Sequence, residues 1–160
     1  MSDKVDMLKS KIFKWLDEEG YKVRDVLDAN SNFALLAEFP NGIMISIIQP
    51  KTSSDRVFII TKFNLTQAQQ STLTALDREK REEIFQDLLL GLIQLRVECN
   101  SLSIPLDLQL YKSIYKDGFN KNLFMCALLD VYNAQWFIGI SVARKLSLPS
   151  ADISLSHIYE

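Results

Sequence analysis

Hydrophobic positions at the start of the chain recur with the period of an α-helix. One helical face collects five apolar side chains, Val5, Leu8, Ile12, Trp15 and Leu16. Ser2 is a suitable N-cap, and Gly20 suits the left-handed position that follows a helix. The pattern therefore predicts a helix over residues 3–19.

Period-two alternation replaces the helical period after residue 30. Alternate positions are apolar over residues 33–39 and again over 43–47, and Asn41-Gly42 lies between the two runs. Asn-Gly between alternating runs is the strongest short hairpin signal, because a type I′ turn needs positive φ at both central residues. We expect a hairpin over residues 33–49 with Asn41 and Gly42 at its tip.

A third alternating run over residues 57–63 follows a polar loop, and Tyr21 to Leu27 allow a short additional strand. The intervening positions of these strands, which face the other side of the sheet, are largely apolar too. They include Leu36, Met44, Ile48, Phe58 and Ile60. Strands that are apolar on both sides are typical of sheets with both faces covered. The pattern predicts an antiparallel meander of three or four strands, with both faces at least partly covered.

Helix-start signals organise the second half of the chain. Thr66 and Gln69 match a capping box and predict a short helix. Asp77 is a second cap, and it precedes a long helix expected over residues 78–98. The last two predicted elements are a strand over residues 104–116 and a helix over residues 121–146.

The composition is that of one globular domain. The chain has 160 residues, of which 48% are apolar and 24% charged, and this is enough to build a core. We expect one α+β domain over residues 1–146 and a short C-terminal tail over residues 147–160. The order of its elements is helix, antiparallel β-meander, long helix, strand and long C-terminal helix.

Three features predict a cytoplasmic protein. The start of the chain has no apolar stretch like that of a signal peptide. The apolar run over residues 123–142 carries Asp130 and Asn133 near its middle, and a membrane span tolerates such residues poorly. Cys99 and Cys126 lie far apart in the sequence and are typical of free thiols in a reducing compartment.

Patterns that carry catalytic chemistry are scarce. His157, the single histidine, is three residues from the end, where a triad would have to recruit a fraying terminus. No Gly-rich phosphate loop occurs, and neighbouring carboxylates such as Glu18-Glu19 point about 100° apart on a helix. The sequence predicts no catalytic residue, no cofactor and no metal site, and it favours a non-enzyme. A site built from residues distant in sequence stays open.

The junction between the predicted strand and the last helix carries a candidate basic and aromatic patch. Its members are Lys112, Tyr115, Lys116 and Lys121. The structural alternative is a turn at Asp117-Gly118 followed by a helix N-cap at Asn120. A formal net charge of −2 argues against a general polyanion binder, so the structural interpretation is favoured over nucleic-acid binding.

The last helix is apolar over a wider arc than one sheet needs. Its two apolar stripes are turned about 100° from each other; the second contains Tyr132 and Trp136, and Phe137 interrupts the remaining polar strip. Exposed aromatic clusters mark interfaces, so we expect a homodimer with Tyr132, Trp136 or Phe137 near the contact. Burial of the second stripe within one domain is the alternative.

Five stretches resemble a known family, namely EEGYKV, AEFPNGIMISIIQPK, DRVFIITKFNLT, LDREKREEIFQDLL and KSIYKDGFNKNLFMCALLDVYNA. Over roughly residues 10–146 the chain resembles an uncharacterised prokaryotic family, known mainly from archaea, that is associated with a type III secretion chaperone-like fold. The resemblance implies the element order α-β-β-β-α-β-β-α. A full match would need two strands from Cys99 to Gly118, where the sequence shows one clearly.

The secretion chaperones that share this fold are small, usually acidic homodimers that hold an extended segment of a client protein. The resemblance therefore implies a protein-interaction module, with a chaperone-like role and an unidentified protein partner as the leading hypothesis. A small-molecule binder or enzyme of unrecognised type is the second hypothesis, and a weak nucleic-acid binder is the third. The resembled family supplies no functional residues to carry over.

Overall fold

The computed structural model describes residues 2–146. Its helices are α1 (Ser2–Glu18), α2 (Gln67–Ala75), α3 (Arg78–Leu95) and α4 (Lys121–Lys145). Its strands are β1 (Lys22–Asp25), β2 (Ser31–Glu38), β3 (Met44–Pro50), β4 (Arg56–Asn64), β5 (Glu98–Cys99) and β6 (Asp107–Tyr115). The expected tail over residues 147–160 lies outside the described residues.

The strands form one antiparallel sheet in the order β1-β2-β3-β4-β6-β5. The predicted α+β class is therefore confirmed. Three predicted helix caps are present: Thr66 and Gln69 form the capping box of α2, Asp77 caps α3, and Asn120 caps α4. Each cap binds a backbone N–H that the helix itself leaves unpaired.

The hairpin between β2 and β3 forms, but its turn is not the predicted type I′. Within this loop only Gly42 has a positive φ, of 82°. The Gly42 N–H donates to the Phe39 carbonyl at 2.9 Å, and the Phe39 N–H donates to the Ile43 carbonyl at 2.9 Å. Pro40 explains the difference, because its fixed negative φ suits the second position of a type I turn. The turn starts one residue early, and Gly42 takes the left-handed position that ends a three-residue loop.

Helix α3 ends three residues before the predicted end at residue 98. Arg96 takes the left-handed conformation, with a φ of 56°, and the Val97 N–H donates to the Leu92 carbonyl. Glu98 and Cys99 then pair with Tyr111 and Leu110 of β6. Two strands therefore lie between α3 and α4, as the chaperone-like order requires. A two-residue strand is too short to show alternation in the sequence.

Helices cover one face of the sheet. Helix α1 packs on β1 and β2, and α4 packs on β4 and β6. The strand side chains beneath them are buried, and those at the centre of this layer are Leu35, Ile47, Ile59 and Leu110. Helix α3 packs on α4 and touches the sheet at the short edge strand β5. The core therefore lies between one side of the sheet and a layer of helices.

The opposite face of the sheet presents partly exposed side chains. Aligned neighbours across four strands are Leu36, Ser46, Ile60 and Tyr111, and the next row contains Ile48, Phe58 and Ser113. None of these seven side chains is buried, whereas Ala34, which pairs with Ile48 in the second row, is buried. We call these seven residues, together with Met44, the open face. The sequence pattern predicts that both faces are at least partly covered: α1 and α4 both lie on the other side, and the side chains of the open face are only partly buried.

Candidate functional site

A cavity of about 520 Å³ opens in the open face. It lies where β3 and β4 separate, since their pairing covers only Ser46–Ile60 to Ile48–Phe58, whereas β4 and β6 stay paired as far as Asn64 and Asp107. Its apolar walls include Leu36, Met44, Ile48 and Ile60, and its polar or charged lining residues are Asn41, Ser46, Thr61, Lys62, Gln109 and Gln135. Such a lining can hold an apolar side chain of a partner, and it offers no pair of groups for acid–base chemistry.

A polar contact closes the inner side of this cavity. Thr61 is 2% exposed, and its hydroxyl lies 3.0 Å from the Met44 carbonyl and within hydrogen-bond distance of the Gln135 amide on α4. The Thr61 hydroxyl has one proton to donate, and the Gln135 side-chain oxygen and the Met44 carbonyl oxygen are both within reach as acceptors. The cavity floor is therefore fastened to the helix layer.

Two members of the predicted basic and aromatic patch, Lys112 and Tyr115, point to opposite sides of β6. Lys112 points into the helix-covered side and forms an ion pair with Asp130 of α4. Tyr115 points to the other side, where the Arg56 guanidinium lies 4.3 Å from the centre of its ring. Lys112 and Tyr115 therefore point to opposite sides of β6, although both contribute to the lining of one cavity of about 420 Å³ beside this strand.

Lys116 and Lys121, the other two members, line another cavity of about 530 Å³ between α1 and the junction of β6 with α4. We call this cavity the lysine cleft. Its remaining lining residues are Leu8, Lys11, Lys14, Trp15, Phe119 and Asn120. Sequence reasoning missed Lys11 and Lys14, since no local signal links them to residues about a hundred positions later.

Glu18, the last residue of α1, and Glu19, which follows it, lie beside the lysine cleft. The Lys121 ammonium lies 2.9 Å from Glu18 and 2.8 Å from Glu19. The hydrogen bonds that the Lys121 ammonium donates to Glu19 and Glu18 raise the pKa of Lys121, and the hydrogen bond that Glu18 accepts from Lys121 lowers the pKa of Glu18. The contact fastens the end of α1 to the first turn of α4.

The residues expected near a dimer contact have different surroundings. Tyr132 stacks on Phe39 with 4.4 Å between ring centres, and the Asn41 amide donates to its hydroxyl at 3.1 Å. Phe137 lies against Gly91 of α3. Trp136 is half-buried and meets Tyr132 edge-on at 6.5 Å. A dimer contact near these residues stays a prediction.

Helix α4 is long and apolar enough to cross a membrane by length and composition alone. In the structure it packs on the sheet, with Phe124, Leu128 and Val131 fully buried, and core helices of soluble proteins share this composition. Within residues 2–146, no three His, Cys, Asp or Glu side chains lie close enough to hold a metal ion.

Comparison with solved structures supports the chaperone-like fold. An uncharacterized protein from Methanothermobacter thermautotrophicus is similar, with a TM-score of 0.78 and 26% identity over 86% of this chain and 98% of that chain. A chain of the ExsC–ExsE complex has a TM-score of 0.52 and 12% identity over 82% of this chain and 93% of that chain. The second likeness concerns the fold alone, which is that of a type III secretion chaperone.

No curated protein matches the chain. The sequence model of one family, described as "Uncharacterized conserved protein (DUF2299)", matches residues 8–141. This match includes every strand of the sheet, helices α2 and α3 and most of α1 and α4. The chain therefore belongs to the DUF2299 family of uncharacterized conserved proteins.

Proposed function

We propose that this protein is a protein-binding module with a chaperone-like role, and that its open face receives an apolar segment of a partner protein. The observation that carries the proposal is the row of partly exposed apolar side chains around the 520 Å³ cavity. Contiguous apolar surface of this kind marks interaction sites in soluble proteins. The ExsC–ExsE complex shows a related fold together with a protein partner.

The lining of the open face indicates the chemistry of the partner segment. Leu36, Ile48 and Ile60 line an apolar cavity that can receive an aliphatic or aromatic side chain of the partner. Ser46 and Gln109 supply hydrogen-bonding groups beside it. The edge strand β1 has only four residues, which makes this edge of the sheet less suited to strand addition. The partner segment therefore lies across the face and inserts one or two apolar side chains.

The proposal is tested by an Ile48→Ser/Ile60→Ser variant. The matched control, Leu27→Ser/Leu90→Ser, removes two apolar side chains that are 103% and 58% exposed and lie outside the open face. Each protein is used for capture from extracts of the native organism, and the captured partner is purified and titrated by calorimetry. Thermal unfolding checks that both variants fold.

We expect wild type and control to retain the same partner at stoichiometric amounts. Loss of an anchor contact should cost the open-face variant about 2 kcal/mol or more of binding free energy. Failure to capture any stoichiometric partner at high protein concentration would reject the proposal. Equal weakening by the control would reject the open face as the contact surface.

We also propose that the chain forms a homodimer through the outer side of α4. Leu129 and Ile140 are 43% and 38% exposed, and half-buried Trp136 lies on the same side of the helix. Phe137 is turned toward α3 instead. Hydrophobic helix surface of this kind is typical of subunit contacts.

A cytoplasmic location is part of the same proposal. Cys126 is exposed, Cys99 is half-buried, and both are free thiols. Burial raises the pKa of the Cys99 thiol, which keeps it protonated and less reactive. Free thiols of this kind are usual in a reducing compartment.

A further inference from the structure

The lysine cleft concentrates positive charge in one small cavity. Lys11 and Lys14 come from α1, and Lys116 and Lys121 come from the junction before α4. Glu18 and Glu19 bind Lys121, and Glu18 also lies 3.8 Å from Lys14. Lys11 and Lys116 form no ion pair with a carboxylate in residues 2–146. The cleft thus keeps two ammonium groups available for an anion.

An aromatic wall lies beside these lysines. The rings of Trp15 and Phe119 stack at 5.9 Å with an angle of 22° between their planes. Both rings are only half-buried and line the cleft. Aromatic side chains of this kind provide stacking surface for planar ligands such as nucleic-acid bases.

The start of α4 adds to the attraction for anions. Asn120 lines the cleft and caps the helix, with its side chain accepting from the Leu123 N–H at 2.9 Å. The N-terminal end of a helix carries a partial positive charge of about half a unit. Lysines, an aromatic wall and this helix end therefore surround one cavity.

We propose that the lysine cleft binds a phosphate-bearing ligand of the nucleotide class. Lys11 and Lys116 bind the phosphates, and the planar base lies against Trp15 and Phe119. The volume of about 530 Å³ falls within the range of about 300–1,000 Å³ that is usual for small-molecule sites. The proposal is independent of the open face, which lies on the other side of the sheet from α1 and α4.

A small ligand is favoured over a nucleic acid. A polynucleotide needs positive charge along an extended track, whereas the lysine cleft is a single cavity and the net charge of the chain is −2. Lys112 also forms an ion pair with Asp130, so its positive charge is already neutralised by a carboxylate. Binding of an oligonucleotide in preference to a mononucleotide is therefore an outcome against the proposal.

Tryptophan fluorescence provides the test. The chain has two tryptophans, so Trp136→Phe leaves Trp15, inside the lysine cleft, as the single reporter. This variant is titrated at low salt and without magnesium with ATP, adenosine, inorganic triphosphate and a ten-residue single-stranded oligothymidylate. We expect saturable quenching by ATP, with adenosine and inorganic triphosphate each binding at least about tenfold more weakly, equal to about 1.4 kcal/mol.

Charge variants show whether the response belongs to this site. In the Trp136→Phe background, Lys11→Gln/Lys116→Gln should raise the Kd for ATP by about tenfold or more. Lys22→Gln/Lys62→Gln removes the same charge from exposed strand positions outside the lysine cleft and should leave the Kd within about twofold. Thermal unfolding confirms that both variants fold.

Four outcomes would overturn the proposal. One is the absence of saturable quenching by millimolar ATP, and a second is an equal loss of affinity in the Lys22/Lys62 control. A third is equal affinity for ATP and inorganic triphosphate, which would exclude the aromatic wall. The fourth is tighter binding of the oligonucleotide than of ATP.

Discussion

The ring of Phe137 on α4 points directly at Gly91 on α3, and this contact sets how closely the two helices approach. A methyl group built on Gly91 would lie 1.9 Å from Cζ of Phe137 and 2.3 Å from Cε1. Nonbonded carbon atoms cannot approach each other this closely, so the Phe137 ring occupies the space that a side chain at position 91 would need. This packing accounts for the turn of Phe137 away from the outer side of α4.

Gly91→Ala should therefore destabilise the protein although alanine is the better helix former. Helix propensity alone would favour alanine by about 1 kcal/mol, but overpacking against Phe137 costs about 1–3 kcal/mol. The control is Gly139→Ala, where the nearest neighbouring atom is Cε2 of Phe63 at 3.5 Å, so we expect equal or greater stability. Urea unfolding of both variants and of Gly91→Ala/Phe137→Leu, which should recover part of the loss, checks the pair. A Gly91→Ala protein as stable as Gly139→Ala would mean that the ring moves aside freely.

Gly42→Val should destabilise the hairpin through the backbone and not through a clash. Gly42 has a φ of 82°, and no atom lies within 4 Å of an added methyl group. A β-branched residue resists this conformation, and the left-handed region costs about 1–2 kcal/mol for an ordinary residue. Gly42→Asn should lose less, because asparagine tolerates the left-handed region. Equal unfolding midpoints for the two variants would contradict the loop geometry.

Dimer formation through α4 predicts a mass of twice 18.3 kDa in light scattering at high concentration. Leu129→Ser/Ile140→Ser removes the two exposed apolar side chains of the proposed contact and should shift the protein to the monomer. Leu89→Ser/Ile93→Ser makes the same chemical change on the exposed side of α3, where the two side chains are 44% and 61% exposed, and should leave the dimer intact. A constant wild-type mass near 18.3 kDa across a concentration series would end the dimer proposal.

The contact between Glu18 and Lys121 predicts a pH-dependent contribution to stability. Lys121 lowers the pKa of Glu18 below its ordinary value of 4.5. A carboxyl group whose pKa is lower in the folded state stabilises that state above its unfolded pKa and loses this effect as the pH falls through the folded pKa. Glu18→Gln should therefore lower the Tm at neutral pH, and the difference from wild type should shrink in acid.

Asp17→Asn serves as the control for that measurement, since Asp17 forms no ion pair in the described part of the chain. Salt at 1 M, where the Debye length is about 3 Å, should also reduce the effect of Glu18→Gln. A Tm difference that is constant from neutral to acid pH would show that Glu18 acts through packing and not through its charge.

Much of the fold could be predicted because its signals are local. The caps of α2, α3 and α4 join groups within one helical turn, so Thr66, Asp77 and Asn120 act whatever the rest of the chain does. Asn41-Gly42 predicts the position of the turn, whereas its type is set by Pro40, whose fixed negative φ starts the turn one residue earlier. The proposed dimer, partner and nucleotide-class ligand have no such local signal and stay predictions.

The amino-acid sequence by itself determined where helices and strands begin, which strands follow one another, and that the strands are apolar on both sides. Only the tertiary structure decided that α1 and α4 share one side of the sheet, leaving Ile48 and Ile60 partly exposed on the other. It also decided that Lys11 meets Lys116 in one cleft and that Phe137 faces Gly91. The physical reason is distance along the chain. Periodicity and capping depend on neighbours a few residues away, whereas these contacts between distant residues depend on how whole helices and strands pack.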